Sequence, residues 1–322
     1  MLGNNVTVFG GTGFVGREVV TQLSKAGYEV TFVVRRPERY RDFALYPNTT
    51  VKTLTSFDDA DLLNAVLVDA DAVVNLLADR STGPERIETA DLVAVSQKLK
   101  SAIEAAGVKR VVSLSQMGVE AGQSNDEWRS LLSEVDGITQ STANADVTIF
   151  KPSLLIGEKD DTTARFAKQL NRMALLMVAQ SDTVVQPVWV RDFAQAFVAS
   201  LGNIATYGQT VNVAGEERMT IKELAELVTE IMQKEAVVFP MCRLNASIMA
   251  KLGGLAPIAS VSATQLQTLR GDMVSEGDFS TQFGFVPSSL ELVISTYAAP
   301  HDVRERYNYF RKEAGRNAEE LV

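Results

Sequence analysis

Short apolar runs alternate along the first half of the chain with stretches whose apolar residues recur at helical spacing. Val6-Thr7-Val8-Phe9, Glu29-Val30-Thr31-Phe32-Val33-Val34, Val51-Lys52-Thr53-Leu54, Ala72-Val73-Val74-Asn75-Leu76-Leu77, Arg110-Val111-Val112-Ser113-Leu114-Ser115 and Val147-Thr148-Ile149-Phe150 read as strands. The near-continuous apolar run 72–77 is of the kind that is buried on both faces of a parallel sheet. Between the first two strands, Val15, Val19, Val20 and Leu23 share one helical face. Further helices are predicted over 60–66, from about Ile87 to Ala106 with Gly107 as C-cap, and from about Asp126 to Ala143. Strand and helix in strict alternation predict an α/β fold, a parallel sheet covered on both faces.

Beyond Phe150 the alternation loosens. Residues 164–178, rich in Met and Leu, are expected to be helical. Residues 183–190 read as extended, with Pro187 marking a strand end or edge. A helix over 192–201 and a strand over 209–213 follow. Thr220 to Gln233 reads as a helix with Thr220 as N-cap and Glu223 at the capping-box position. Leu244, Ile248, Met249, Leu252, Leu255 and Ile258 fall near one helical face, and Asp302 to Arg316 forms an amphipathic stretch. Core is the expected role of the first, and a solvated helix that of the second.

The chemistry begins at the first strand–helix junction, Gly10-Gly11-Thr12-Gly13-Phe14-Val15-Gly16. A glycine turn feeding a helix N-terminus presents backbone N–H groups to an anion, and the helix dipole favours its charge. Glycines suit this turn because a Cβ would block the close approach of a pyrophosphate. The second strand follows at βαβ spacing, so the motif sits in the context that dinucleotide binding requires. The fold expected is therefore a Rossmann doubly wound parallel sheet with a smaller, discontinuous C-terminal substrate-side domain. The expected division is 1–156 for the nucleotide-binding domain, with 185–215 returning to it, and 157–184 and 216–322 for the smaller one.

The end of the second strand bears on which dinucleotide is held. An NAD site usually carries an acid there, to accept from the ribose 2′-hydroxyl. This chain has Arg35-Arg36-Pro37-Glu38-Arg39 instead. A guanidinium suits a 2′-phosphate, so NADP(H) is favoured, with NAD(H) kept as the alternative.

Composition narrows the classes. A net charge of −9 over 322 residues argues against nucleic acid as a partner. One cysteine, Cys242, provides neither a disulfide framework nor a zinc cluster. One histidine, His301, removes Ser-His-Asp hydrolysis and His-based metal sites, and it reads as a surface residue. No apolar stretch reaches the ~18 residues of a membrane span. The first strand begins almost at residue 1, so a signal peptide is not expected and a cytoplasmic location is.

These motifs resemble the atypical short-chain dehydrogenase/reductase superfamily. Within it the chain is similar to the branch holding the NAD(P)-binding accessory subunit of mitochondrial respiratory complex I and its bacterial, NmrA-like and epimerase-like relatives. The resemblance rests on 10–17 and 35–39, and on Val73-Val74-Asn75-Leu76-Leu77, Ser113-Leu114-Ser115-Gln116-Met117-Gly118 and Lys151-Pro152-Ser153-Leu154-Leu155-Ile156-Gly157. It extends through Gln186-Pro187-Val188-Trp189-Val190-Arg191-Asp192, residues 268–274 and Phe283 to Glu291.

The resemblance implies roles residue by residue. Gly10, Thr12, Gly13, Phe14, Val15 and Gly16 would face the pyrophosphate, and Arg35 and Arg36 the adenosine 2′-phosphate and adenine. Leu76, Leu77 and Ala78 would line the adenosine ribose. Ser113, Leu114 and Ser115 would reach toward the nicotinamide ribose, and Lys151, Pro152, Ser153 and Leu154 would lie beside the nicotinamide. An acid often follows the third strand to bond the adenine amine. Thr55 stands there, with Asp58 three residues on. The resemblance also implies a protein partner or a place at the periphery of a membrane complex, in the cytoplasm or in an organelle of bacterial origin.

Catalytic members of the superfamily carry Tyr and, four residues later, Lys on one helix face, the ammonium lowering the pKa of the phenol. None of the seven tyrosines here has Lys four residues on. Aligned on Arg129, Ser130 and Glu134, the helix places Trp128 at the tyrosine position and Leu132 at the lysine position. Neither side chain can exchange a proton with substrate. Ser115 remains a weak catalytic candidate, since a serine ending a buried strand often only satisfies backbone.

Three readings follow. The first is an NADP(H)-binding protein without the Tyr–Lys pair, its cofactor structural or redox-sensing. The second is an NADPH-dependent reductase or epimerase acting on a small carbonyl, quinone-like or nucleotide-sugar substrate through an unconventional acid, with Asp126, Glu127 and Glu134 nearby. The third is a redox sensor that binds a protein partner.

Overall fold

The computed structural model describes residues 3–81, 83–119, 126–241 and 262–299. Seven strands form one sheet: β1 (Asn5–Phe9), β2 (Glu29–Val34), β3 (Thr49–Thr53), β4 (Ala72–Asn75), β5 (Arg110–Leu114), β6 (Asp146–Pro152) and β8 (Thr210–Val213). A further strand, β7 (Leu175–Ala179), lies outside that sheet. The order across the sheet is β8-β6-β5-β4-β1-β2-β3, and all six pairings are parallel. Strand order therefore reverses between β1 and β4. The crevice outside their carboxyl ends is where open α/β sheets bind ligands. The doubly wound Rossmann fold expected from the alternation is the fold found.

Period-two alternation explains how both faces are covered. Val6, Val8, Val30, Phe32, Val74 and Val112 point to one side, against α1 (Phe14–Lys25) and α6 (Val190–Ala199). Phe9, Val33, Val73, Val111 and Ile149 point to the other, against α2 (Ala60–Leu67), α3 (Leu92–Ala106) and α4 (Glu127–Gln140). Both faces of β4 and β5 are sealed, and every residue of the two strands is buried.

That sealing includes Arg110, which has no exposed surface. Its guanidinium donates to the carbonyls of Asp146, Ser200 and Leu201 and to the hydroxyls of Thr148 and Thr206. It also lies 4.3 Å from the centre of the Tyr207 ring. Burial pushes its pKa down to about 10, so the cation persists at neutral pH. It clips the last turn after α6 to the sheet.

The chain divides into two compact units, 1–155 with 183–219 and 267–288, and 156–182 with 220–266 and 289–322. The second unit contains α5 (Thr163–Leu170), α7 (Ile221–Ile231) and α8 (Leu290–Ala298), which pack on one another. It also contains β7, paired in parallel with β9 (Val237–Met241). Asp160 opens α5 from full burial, accepting from the N–H groups of Gly157, Thr162 and Thr163. The capping box expected on α7 is present, Thr220 Oγ1 accepting from Glu223 N.

Several boundaries differ from expectation. The single helix over 164–178 is instead α5 followed by a turn and β7. Met and Leu suit a helix, but pairing with β9 recruits Leu175 to Val178 into a strand, tertiary context overriding propensity. The helix expected from Ile87 begins at Leu92, after a 3-10 turn over Thr89–Asp91. The fourth strand stops at Asn75, two residues early, because the Asn75 side chain accepts from Leu77 N and turns the backbone away. The apolar face 244–258, the stretch 302–316, Cys242 and His301 lie outside the described residues.

Candidate functional site

The first unit brings together the loop after β1, the loop after β4 and the end of β2. Gly10 has φ +74°, the left-handed region, and a Cβ there would stand 2.6 Å from the backbone carbonyl of Leu76. A Cβ on Gly16 would stand 2.3 Å from the Cα of Gly11. So the first turn of α1 meets the glycine turn backbone to backbone, and the glycine turn lies close against Leu76, just past the end of β4. Gly13 is the N-cap, extended at φ −83° and without a side-chain cap. Thr12, Gly13, Val15 and Gly16 are buried and Phe14 is partly exposed.

The chain's own side chains stand at that helix end. Phe14 N donates to Ser81 Oγ at 2.7 Å, and Ser81 Oγ donates to Asp79 Oδ1 at 2.6 Å. The buried Asp79 carboxylate also accepts from Ser81 N at 2.8 Å. Burial pushes its pKa up, against the lowering effect of those hydrogen bonds. At the end of β2, Arg35 is held by Glu85. Arg35 N and Nε donate to Glu85 Oε2 at 2.9 and 3.2 Å, and Arg35 Nη2 donates to Pro84 O at 2.5 Å. The Glu85 side chain is 7% exposed. Arg36 is exposed. Leu76 and Leu77 are buried and Ala78 is half-buried at the start of this same loop. Thr55 is exposed, and Asp58 forms an ion pair with Lys98, which pulls its pKa down.

At the ends of β5 and β6 lies a buried polar cluster. Ser115 Oγ donates to Asp136 Oδ2 at 2.8 Å, and Lys151 Nζ stands 3.0 Å from the same oxygen. Lys151 also donates to Val119 O at 2.7 Å. Burial raises the pKa of Asp136, while Lys151 and Ser115 act to lower it. Asp136 lies four residues beyond Leu132 on the same helix face as Trp128 and Leu132. Asp126 is the N-cap of α4 and accepts from Arg270 Nη1 at 3.1 Å.

Trp128 and Leu132 are 3% and 1% exposed. The indole donates to Gln116 Oε1 at 3.1 Å and carries the Arg80 guanidinium 4.9 Å from the ring centre. Gln116 in turn donates to Thr268 O at 2.8 Å. Ser153 Oγ donates to Met273 O at 2.6 Å and accepts from Gln186 N at 3.0 Å. Residues 268–273 are thus bolted across the carboxyl ends of β5 and β6 by Gln116 and by Ser153, of which only Ser153 was expected beside the nicotinamide. Ser113, Leu114, Pro152 and Leu154 are buried there. Sequence reasoning missed Asp79, Ser81, Glu85, Gln116 and Asp136. Only Asp136 carried a signal, its i+4 spacing from Leu132 on a face that includes Trp128.

Comparison with known families decides the class. A family model described as NAD(P)H-binding matches residues 10–183, more than half of the chain. The chain belongs to the NAD(P)H-binding family. The match begins at the glycine cradle and runs through β2 to β7. Among curated proteins, the chain is similar to NADH dehydrogenase [ubiquinone] 1 alpha subcomplex subunit 9, mitochondrial. The Arabidopsis thaliana protein is 28% identical over 234 residues, 71% of this chain and 58% of that one. The Rattus norvegicus protein is 26% identical over 258 residues, 78% of this chain and 67% of that one. The chain thus spans little more than half the length of the plant relative. Among solved structures, Citrobacter sp. triphenylmethane reductase complexed with NADP(H) superposes with a TM-score of 0.74 at 17% identity, over 91% of this chain and 99% of that one. At that identity the likeness is one of fold. These relatives bear out the resemblance to the accessory-subunit branch, and a dinucleotide cofactor goes with the family. Among the described residues no helix is long and apolar enough to cross a membrane, and no group of three or more His, Cys, Asp or Glu could hold a metal ion.

Proposed function

We propose that this chain is an NADP(H)-binding protein of the atypical short-chain dehydrogenase/reductase type. Its dinucleotide stabilises the fold or reports redox state and does not serve Tyr–Lys hydride chemistry. The observation that carries the proposal is the burial of Trp128 and Leu132 where the acid and its ammonium would stand. The indole nitrogen is already committed to Gln116. The glycine cradle, by contrast, is intact. Gly10, Thr12, Gly13, Phe14, Val15 and Gly16 would take the pyrophosphate, and Leu76, Leu77 and Ala78 the adenosine ribose. Arg35, with Arg36, would take the 2′-phosphate, a pairing that suits a planar guanidinium. Ser113, Leu114, Ser115 and Lys151 to Leu154 would flank the nicotinamide end. A bound dinucleotide could supply a hydride at its nicotinamide ring. This chain's residues would bind and orient that ring without a tyrosine acid beside it.

The similarity to a respiratory subunit supports a role as an accessory factor of a respiratory or other membrane complex, attached at its periphery. The buried Ser115–Asp136–Lys151 cluster favours a second reading, a reductase acting on a small carbonyl or quinone with Ser115 relaying a proton held at Asp136.

Equilibrium titration with NADPH and NADH, paired with an NADPH-oxidation assay over a panel of quinones and aldehydes, tests both. The first reading expects saturable binding and no oxidation above background. Arg35→Ser should weaken NADPH about tenfold or more, as loss of a charged hydrogen bond does, and leave NADH unchanged. NADPH oxidation that Ser115→Ala abolishes would establish the second reading instead.

A further inference from the structure

The loop that leaves β4 places a Ser81–Asp79 pair and the Glu85 carboxylate at the two anion positions of the cradle. At the N-terminus of α1, Ser81 Oγ takes Phe14 N and is itself held by Asp79 Oδ1. Glu85, four residues after Ser81, takes Arg35 through both its backbone N–H and its Nε. The pyrophosphate and the 2′-phosphate of a dinucleotide would need these same groups, the Phe14 amide at the start of α1 and the Arg35 guanidinium. Anions and helix N-termini attract one another whatever the anion's source, so a tethered carboxylate competes with a phosphate for the same donors. Both acids are well buried, Asp79 at 6% exposure and the Glu85 side chain at 7%, so they are seated in the cradle. The loop is also tied back on itself. Arg80 donates to Ile87 O and Thr89 Oγ1 and stacks on Trp128.

From this we infer that the segment after β4 is a self-occupying strap. Its Ser81, held by Asp79, and its Glu85 take donors that the phosphates of the dinucleotide would use, and they must be displaced for the ligand to bind. The inference rests on the dinucleotide reading of the cradle. If only a fraction of molecules has the strap open, the apparent affinity falls by that fraction. The two acids act on different parts of the ligand. Asp79, by seating Ser81 on the Phe14 amide, competes with the pyrophosphate that NADH and NADPH share. Glu85 competes with the 2′-phosphate that NADPH alone carries, and so sets the preference between the two.

The test is calorimetric titration of the full chain with NADPH and with NADH, comparing wild type, Asp79→Asn and Glu85→Gln. Both substitutions keep side-chain shape and remove charge. Glu85→Gln is expected to tighten NADPH at least about fivefold and NADH less than about twofold. Asp79→Asn is expected to tighten both by a similar factor. Should Asp79→Asn fail to fold, Glu85→Gln alone decides through the ratio of the two affinities. Wild-type binding that both variants leave unchanged or weaken would overturn the strap and leave the dinucleotide reading standing. No saturable binding of either nucleotide to any of the three proteins would overturn both.

Discussion

Replacing Gly10 by Ala separates two costs that are usually confounded, and the structure provides its own control. Gly10 and Gly107 both adopt left-handed backbone, φ +74° and +69°. An alanine at either position carries about 1–2 kcal/mol of backbone strain. At Gly107, the C-cap of α3, a Cβ would meet nothing within 4 Å. At Gly10 it would lie 2.6 Å from the backbone of Leu76, which is fully buried and cannot swing aside. Relieving that overlap adds about 1–3 kcal/mol, the usual cost of overpacking a well-packed site. Gly10→Ala should therefore cost about 2–5 kcal/mol and Gly107→Ala about 1–2 kcal/mol. Urea unfolding followed by tryptophan fluorescence is the assay. Both tryptophans, Trp128 and Trp189, lie in the first unit, so the signal reports that unit's unfolding. Midpoints compared at constant m give the difference. Equal losses for the two variants would refute the claim that contact between the β1 turn and β4 shapes the cradle.

Four further outcomes are expected. Arg110→Met should destabilise by about 3 kcal/mol or more in the same assay, because three carbonyls and two hydroxyls lose a buried donor. Introducing Trp128→Tyr with Leu132→Lys should yield no NADPH oxidation in the quinone and aldehyde panel, and should lower the melting temperature, since an ammonium would enter a site now 1% exposed. Ser115→Ala should cost about 1–2 kcal/mol in the urea assay by removing a donor from buried Asp136. The pKa of Asp136 is raised by burial, so the folded state binds its proton more tightly than the unfolded state does. The stability this group contributes is therefore present below its unfolded value near 3.8 and is lost as pH rises through the raised folded value. Melting temperature measured against pH should accordingly rise for wild type relative to Asp136→Asn as pH is lowered toward 4.

How much of this was legible depends on whether the determining contact is local. The glycine loop, the apolar strands and the capping box on α7 are set by neighbours a few residues apart, and each was readable along the chain. The fate of 164–178 was not, because Leu175 to Val178 become a strand only through β9, some sixty residues later. Arg35 shows the same limit at the site. Its charge and position pointed to a 2′-phosphate, yet the group that holds it is Glu85, fifty residues on in a loop without periodicity. Asp79 and Ser81 were passed over for the same reason. Ser153 was assigned to the nicotinamide side through resemblance, and the structure adds its bonds to Met273 and Gln186. Substitution was the most readable signal of all. Trp128 and Leu132 are wrong for proton transfer by chemistry alone, and the fold buries both.

The central claim is that the cradle holds a dinucleotide while the pair needed to use it is gone. Titration of the wild-type chain with NADPH, with absorbance at the nicotinamide band followed in the same cell after adding a quinone, tests it most directly. The account predicts saturable binding of one nucleotide per chain and no decay of that band beyond the rate without protein. Absence of binding, or sustained oxidation over many turnovers, would contradict it.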